Sequence, residues 1–207
     1  MKYVFYLFVV LVFSSARADQ AVDFFRAVNV DDVGTVKQLL ARGFDPNATN
    51  SNGQTGLHLA LRDDSPKVVA ALLAHARTRI DATNASDETP VMMAALRGQL
   101  EWTQTLLDRG AALNRQGWSP LHYAATGPEP KVVALLLARG ALLEALSPNR
   151  TTPLMMAARY GPEDAVDLLL AKGASLKARN DAGLGAADFA KLGGRESLAT
   201  RLAATAR

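Results

Sequence analysis

One segment of this chain returns at nearly constant spacing, and that constrains the fold more than any other feature. It reads Thr55-Gly56-Leu57-His58-Leu59-Ala60, then Thr89-Pro90-Val91-Met92-Met93-Ala94, Ser119-Pro120-Leu121-His122-Tyr123-Ala124 and Thr152-Pro153-Leu154-Met155-Met156-Ala157. The leading Thr or Ser positions lie 34, 30 and 33 residues apart. A degenerate copy, Gly183 to Ala190, puts Gly185 at the corresponding position another 33 residues on. A second block recurs in phase between these copies: Val68-Val69 to Leu72-Leu73, Val132-Val133 to Leu137, and Ala165-Val166 to Leu170. It usually closes on a basic residue and glycine, as in Arg42-Gly43, Arg109-Gly110, Arg139-Gly140 and Lys172-Gly173.

Each unit has a direct physical reading. Thr or Ser is a good helix N-cap, because its hydroxyl can accept from an orphan backbone N–H. Proline at the next position is preorganised for the first turn and forfeits no hydrogen bond there. The second block carries apolar residues at helical spacing. A basic residue in its last turn suits the negative end of the helix dipole, and the glycine beyond supplies a left-handed stop. The unit is therefore helix, turn, helix, glycine stop and polar loop.

These residues resemble the ankyrin repeat and its T-P-L-H-x-A motif. Ser119 to Ala124 departs from that motif only in Ser for Thr, and Thr55 to Ala60 only in Gly for Pro. The other two copies put Met92 and Met155 where the motif has His. The resemblance covers residues 21 to about 203 and implies an all-α solenoid of helix-turn-helix units joined by hairpin-like loops. It also implies that Thr55, His58, Thr89, Pro90, Ser119, Pro120, His122, Thr152 and Pro153 are structural, as are Gly43, Gly110, Gly140 and Gly173.

Six units are expected, four of them central. The first has the helix pair (Phe24 to Ala27, then Val33 to Leu40) without the leading motif. The last starts a helix at Gly183 and runs into a polar stretch, Arg195-Glu196-Ser197-Leu198. Terminal units must solvate one face, so atypical ends are expected. The 30-residue interval predicts a loop three residues short between Asn114 and Gly117. The corner Ala74 to Ile80 lacks the glycine stop and should be irregular, and Gly127-Pro128-Glu129-Pro130 should form a stiff turn. With no linker in view, residues 19–207 are expected to form one domain.

Residues 1–18 read as a cleavable export signal. Lys2 supplies a positive start, Tyr3 to Phe13 an unbroken apolar run of eleven residues, and Ala16-Arg17-Ala18 the small-x-small cleavage pattern. A membrane-spanning helix needs roughly 20 apolar residues. Lys2 and Arg17 lie in that segment and no acidic residue does, so the remainder carries 21 basic against 20 acidic side chains. That balance gives little counterion-release drive toward nucleic acid. There is no cysteine, so disulfides, thiolate catalysis and Cys-type zinc sites are excluded. With a short signal and no disulfide, a bacterial periplasm is the expected location, and an extracellular one the alternative.

Candidate chemistry is sparse. His58 and His122 lie 64 residues apart in one register, as scaffold residues do, and His75 stands alone. Two repeats of separation forbid a shared metal ion, whose ligand bonds are near ~2 Å. Asp31-Asp32 and Asp63-Asp64 fall at turns. The pairs Met92-Met93 and Met155-Met156 could be soft-metal ligands of a metal-handling protein, but fit core packing better. No cofactor and no catalytic set is expected.

The expectation is therefore a non-catalytic, monomeric protein-binding adaptor. A narrower version is an immunity-type inhibitor of an envelope-targeted enzyme. The ankyrin resemblance implies a binding face built from loop tips and the exposed sides of first helices. Here these positions include Asn52, Gln54, Arg62, Asp63, Glu88, Arg97, Trp118, Thr151, Arg159 and Tyr160. Arg97, Trp118, Arg159 and Tyr160 are of types favoured at binding hot spots. Trp118 has two readings, a partner contact or a cover over the gap left by the short loop.

Overall fold

The structure is a computed structural model and describes residues 19–205. The expected signal, residues 1–18, lies outside the described residues. Within them are twelve helices and a single antiparallel bridge, Thr49 to Thr55. Helix α1 runs through 19–29, followed by α2 (Val33–Ala41), α3 (Gly56–Arg62), α4 (Pro66–Ala74), α5 (Pro90–Leu96) and α6 (Leu100–Asp108). Then come α7 (Pro120–Thr126), α8 (Pro130–Ala138), α9 (Pro153–Tyr160), α10 (Glu163–Ala171), α11 (Ala186–Leu192) and α12 (Glu196–Thr205). Helices α2 to α12 have seven to ten residues. Isolated helices that short are unstable in water, so packing between repeats must hold them.

The chain divides into two compact units, one ending at Asp87 and one beginning at Glu88. In the first, α2 packs on α4 and α3 on α4. Phe24 of α1 is fully buried, with ring centres 5.3 Å from Phe25 and 4.7 Å from Phe44. This ring explains why Gly56 stands where the motif has proline. A Cβ at Gly56 would lie 2.7 Å from the Phe24 ring. The irregular corner after α4 finds a substitute for the glycine stop: the Thr78 hydroxyl donates to the Leu72 carbonyl at 2.6 Å.

In the second unit, α5, α7, α9 and α11 pack in succession, with α6, α8 and α10 in succession behind them. The core between the layers contains Leu121, Val132, Val133, Leu136, Leu154, Val166 and Leu169. At the far end the structure corrects one expectation. The polar stretch from Arg195 belongs to a complete second helix, α12, whose Leu198, Ala199 and Leu202 are buried. Their i, i+1, i+4 spacing is one helical stripe, diluted to the eye by polar residues on the solvated face.

The glycine stops behave alike in both units. Gly43, Gly110, Gly140 and Gly173 have φ between 90° and 93°, and the N–H after each closes the preceding helix, as Ala141 N–H does to the Leu136 carbonyl at 2.9 Å. The short loop is also visible in hydrogen bonds. Asn47 receives Arg79 N–H and donates to the Arg77 carbonyl, eight residues before Thr55. Asn114 makes the same pair of bonds, to Leu142 N–H and the Gly140 carbonyl, five residues before Ser119. The missing three residues therefore lie between Asn114 and Ser119.

Candidate functional site

The start of each first helix is braced by the side chain three residues into it. Thr55 N–H donates to His58 Nδ1 at 3.3 Å, and Ser119 N–H to His122 Nδ1 at 3.2 Å. The thioethers of Met92 and Met155 take the same role toward Thr89 and Thr152 at 3.4 Å, and the carboxylate of Asp188 toward Gly185 at 2.8 Å. The N-cap hydroxyls do less direct capping than the sequence suggests. Those of Thr55 and Ser119 face the imidazole at 2.9 Å, and the Thr89 hydroxyl oxygen is buried without a partner.

This geometry fixes the tautomer of His122. A backbone N–H can only donate, so Nδ1 must be unprotonated; Nε2–H then donates to the Thr151 carbonyl at 3.0 Å. Burial holds the imidazole below its ordinary pKa, with the Thr151 hydrogen bond opposing that shift. The folded protein thus refuses a proton that the unfolded chain accepts near pH 6.5. The stability contribution is full above that value and is lost as the pH falls through it toward the folded pKa. The steepest slope one such proton allows is about 1.4 kcal/mol per pH unit. His122→Met, the exchange this chain makes in neighbouring repeats, should cost about 1 kcal/mol at neutral pH and flatten the dependence. Thermal melts of both proteins at pH 7 and pH 5 measure it; an equal drop in both would contradict the assignment.

Beside His122 lies a groove of about 440 Å³ on the second unit, lined by Leu96, Trp118, His122, Tyr123, Thr126, Met156 and Tyr160. Leu96 closes α5, Tyr123 and Thr126 stand on α7, Met156 and Tyr160 on α9, and Trp118 at the base of the short loop. The Trp118 ring meets the His122 ring edge-on at 5.2 Å. The Tyr123 hydroxyl donates to Glu88 at 2.9 Å. The Arg159 guanidinium sits over the Tyr160 ring, 4.9 Å from its centre, and Tyr160 is 56% exposed.

The structure brings Trp118 and Tyr160 to this groove with Glu88, Arg97 and Arg159 on adjoining positions. Trp118 is half-buried and lines the groove, its ring against His122. Asn52, Arg62 and Asp63 are exposed on the first unit, where Arg62 forms a two-pronged ion pair with Asp63 at 2.7 and 2.8 Å. Two expected surface residues are corrected. Gln54 is buried, its amide oxygen receiving Asn50 Nδ2 and Arg62. Thr151 is buried, as the His122 bond requires. Sequence reasoning missed Tyr123, Thr126 and Met156. Tyr123 and Met156 occupy the x of the repeat motif, the position after its histidine, which is the signal that could have found them.

Among the described residues no three or more His, Asp or Glu side chains are placed to hold a metal ion. The family description "Ankyrin repeats (3 copies)" matches residues 24–116, 65–145 and 111–180. The chain belongs to the ankyrin-repeat family. Ankyrin stretches of larger proteins resemble it. It is 28% identical over 146 residues to human transient receptor potential cation channel subfamily A member 1, covering 65% of this chain and 13% of that protein. It is 37% identical over 143 residues to the Caenorhabditis elegans ankyrin repeat and KH domain-containing protein mask-1, covering 62% and 6%. The chain thus spans only a small part of these relatives. Among solved structures it matches a chain in the complex of Bd0816 predatory endopeptidase from Bdellovibrio bacteriovorus with immunity protein Bd3460. There the TM-score is 0.73 with 26% identity, covering 88% of this chain and 97% of that one. Ankyrin repeats make this chain a protein-interaction module, in a family that is generally non-catalytic.

Proposed function

We propose that this ankyrin protein is an exported adaptor that works as a monomer in the bacterial cell envelope and grips a partner with the groove on α5, α7 and α9. The observation that carries the reading is the convergence of Trp118 and Tyr160. They lie 42 residues apart in sequence, in different repeats, yet they line one apolar depression. Aromatic residues in such a depression are the usual anchors of an interface. The export part rests on residues 1–18 alone, and a mature chain beginning at Asp19 is its direct consequence.

A narrower reading, an immunity-type inhibitor of an envelope enzyme, has one observation in its favour. The structural neighbour that aligns over 97% of its chain comes from a complex of an endopeptidase with an immunity protein. One experiment addresses both readings. The mature chain is used to capture proteins from its own envelope fraction, in parallel with the Trp118→Ala/Tyr160→Ala variant. The expected result is a stoichiometric partner bound by the wild type and lost by the variant, with unchanged helical circular dichroism. An enzyme whose activity falls on binding would select the inhibitor reading. Equal capture by both proteins would remove the groove from the proposal.

A further inference from the structure

The geometry points to the occupant of this groove: an extended, acidic segment of the partner that carries an apolar anchor residue. This rests on the adaptor reading above and adds the chemistry of what is bound. The floor of the groove is built from Leu96, Trp118, Tyr123, Met156 and Tyr160, which suit an aromatic or leucine side chain. Its volume of about 440 Å³ falls in the range of sites that enclose one small group.

The charges beside it are unequal. Arg97 follows Leu96 at the end of α5 and is exposed, with no ion pair among the described residues. Arg159 lies on the ring of Tyr160, likewise without an ion pair among the described residues. The carboxylate on this face, Glu88, accepts the Tyr123 hydroxyl and keeps its charge. Two arginines against one carboxylate leave a net positive charge beside the apolar trough. Helices pack about 8–10 Å apart, so α5 and α9, separated by α7, place the two arginines roughly 20 Å apart along the groove. An extended peptide covers that span in about six residues. A peptide is favoured over a polynucleotide because two arginines on a nearly neutral chain release few counterions.

The test is selection from a displayed library of random twelve-residue peptides against the full mature chain, with no partner identified beforehand. The expected binders carry an aromatic or leucine residue flanked by Asp or Glu. Their binding weakens about tenfold in Arg97→Glu/Arg159→Glu and falls with added salt. Trp118→Ala abolishes it, and binding alters Trp118 fluorescence. Selection of peptides without acidic enrichment, insensitivity to the charge reversals, preference for an oligonucleotide, or no selected binder would each overturn the inference. Such an outcome alongside partner capture that still depends on Trp118 and Tyr160 would leave the adaptor reading standing. Failure of both experiments would remove both.

Discussion

Gly161→Ala is expected to destabilise the protein by about 3 kcal/mol, lowering the melting temperature by roughly 10 °C. Gly161 caps α9 with φ −84°, a conformation any residue can adopt, so backbone strain is not the cause. The cause is space. A Cβ at Gly161 would fall on the carbonyl oxygen of Ala125 in α7 and lie 3.1 Å from the Cα of Ala157. Both obstacles are main-chain atoms, which cannot rotate away, so α9 would have to withdraw from α7. The same close approach recurs at Gly127, whose Cβ would lie 2.7 Å from the Ala95 carbonyl, and at Gly193, 2.5 Å from the Arg159 carbonyl. Gly173→Ala is the control. Its φ is 93° with nothing within 4 Å of an added Cβ, so only the conformational penalty of about 1 kcal/mol applies. Urea denaturation of the two variants measures the difference; equal losses would contradict the packing account.

The second large effect is expected at Arg195. One guanidinium nitrogen of this side chain donates to the carbonyls of Ala157, Ala158 and Gly161 at 3.1, 3.0 and 2.7 Å. These are groups at the C-terminal end of α9, where the helix dipole is negative; the Ala157 carbonyl also receives Gly161 N–H at 2.9 Å, so Arg195 is its second donor. Arg195→Ala should cost about 3 kcal/mol by removing hydrogen bonds from a charged donor. Arg195→Lys, which keeps the charge and three donors on one nitrogen, should recover about half. Its exposed contact with Glu163 at 3.8 Å contributes little by comparison. Denaturation midpoints of the two variants test this, and a loss in Lys equal to that in Ala would show that the charge is not what caps α9.

Neither residue stood out as important in the sequence. The glycines that did, Gly43, Gly110, Gly140 and Gly173, follow a basic residue at the ends of α2, α6, α8 and α10, where the local conformation demands them. Gly161 looks like an ordinary turn residue, because the carbonyl it must clear belongs to Ala125, 36 residues earlier. Arg195 looks like the solvated start of a terminal helix, because the carbonyls it caps lie 34 to 38 residues back. The same division runs through the binding groove. Trp118 and Tyr160 were legible as aromatic residues at outward positions. Tyr123 and Met156 went unread, although both hold the x of the motif, because nothing local says which neighbouring helix that position faces.

The sequence by itself determined the repeat, its period, its helix starts and stops and the site of its three-residue deletion. All of these are local: capping, proline placement and apolar periodicity act within a turn or two of the chain. The tertiary structure alone decided which side chains meet between repeats. It placed Gln54 and Thr151 inside rather than outside, gave the reason for glycine at position 56 in the ring of Phe24, fixed the tautomer of His122 through Thr151, and gathered the groove from three helices. Those outcomes depend on how closely neighbouring helices approach, a distance set by packing and recorded nowhere in the spacing of the motif.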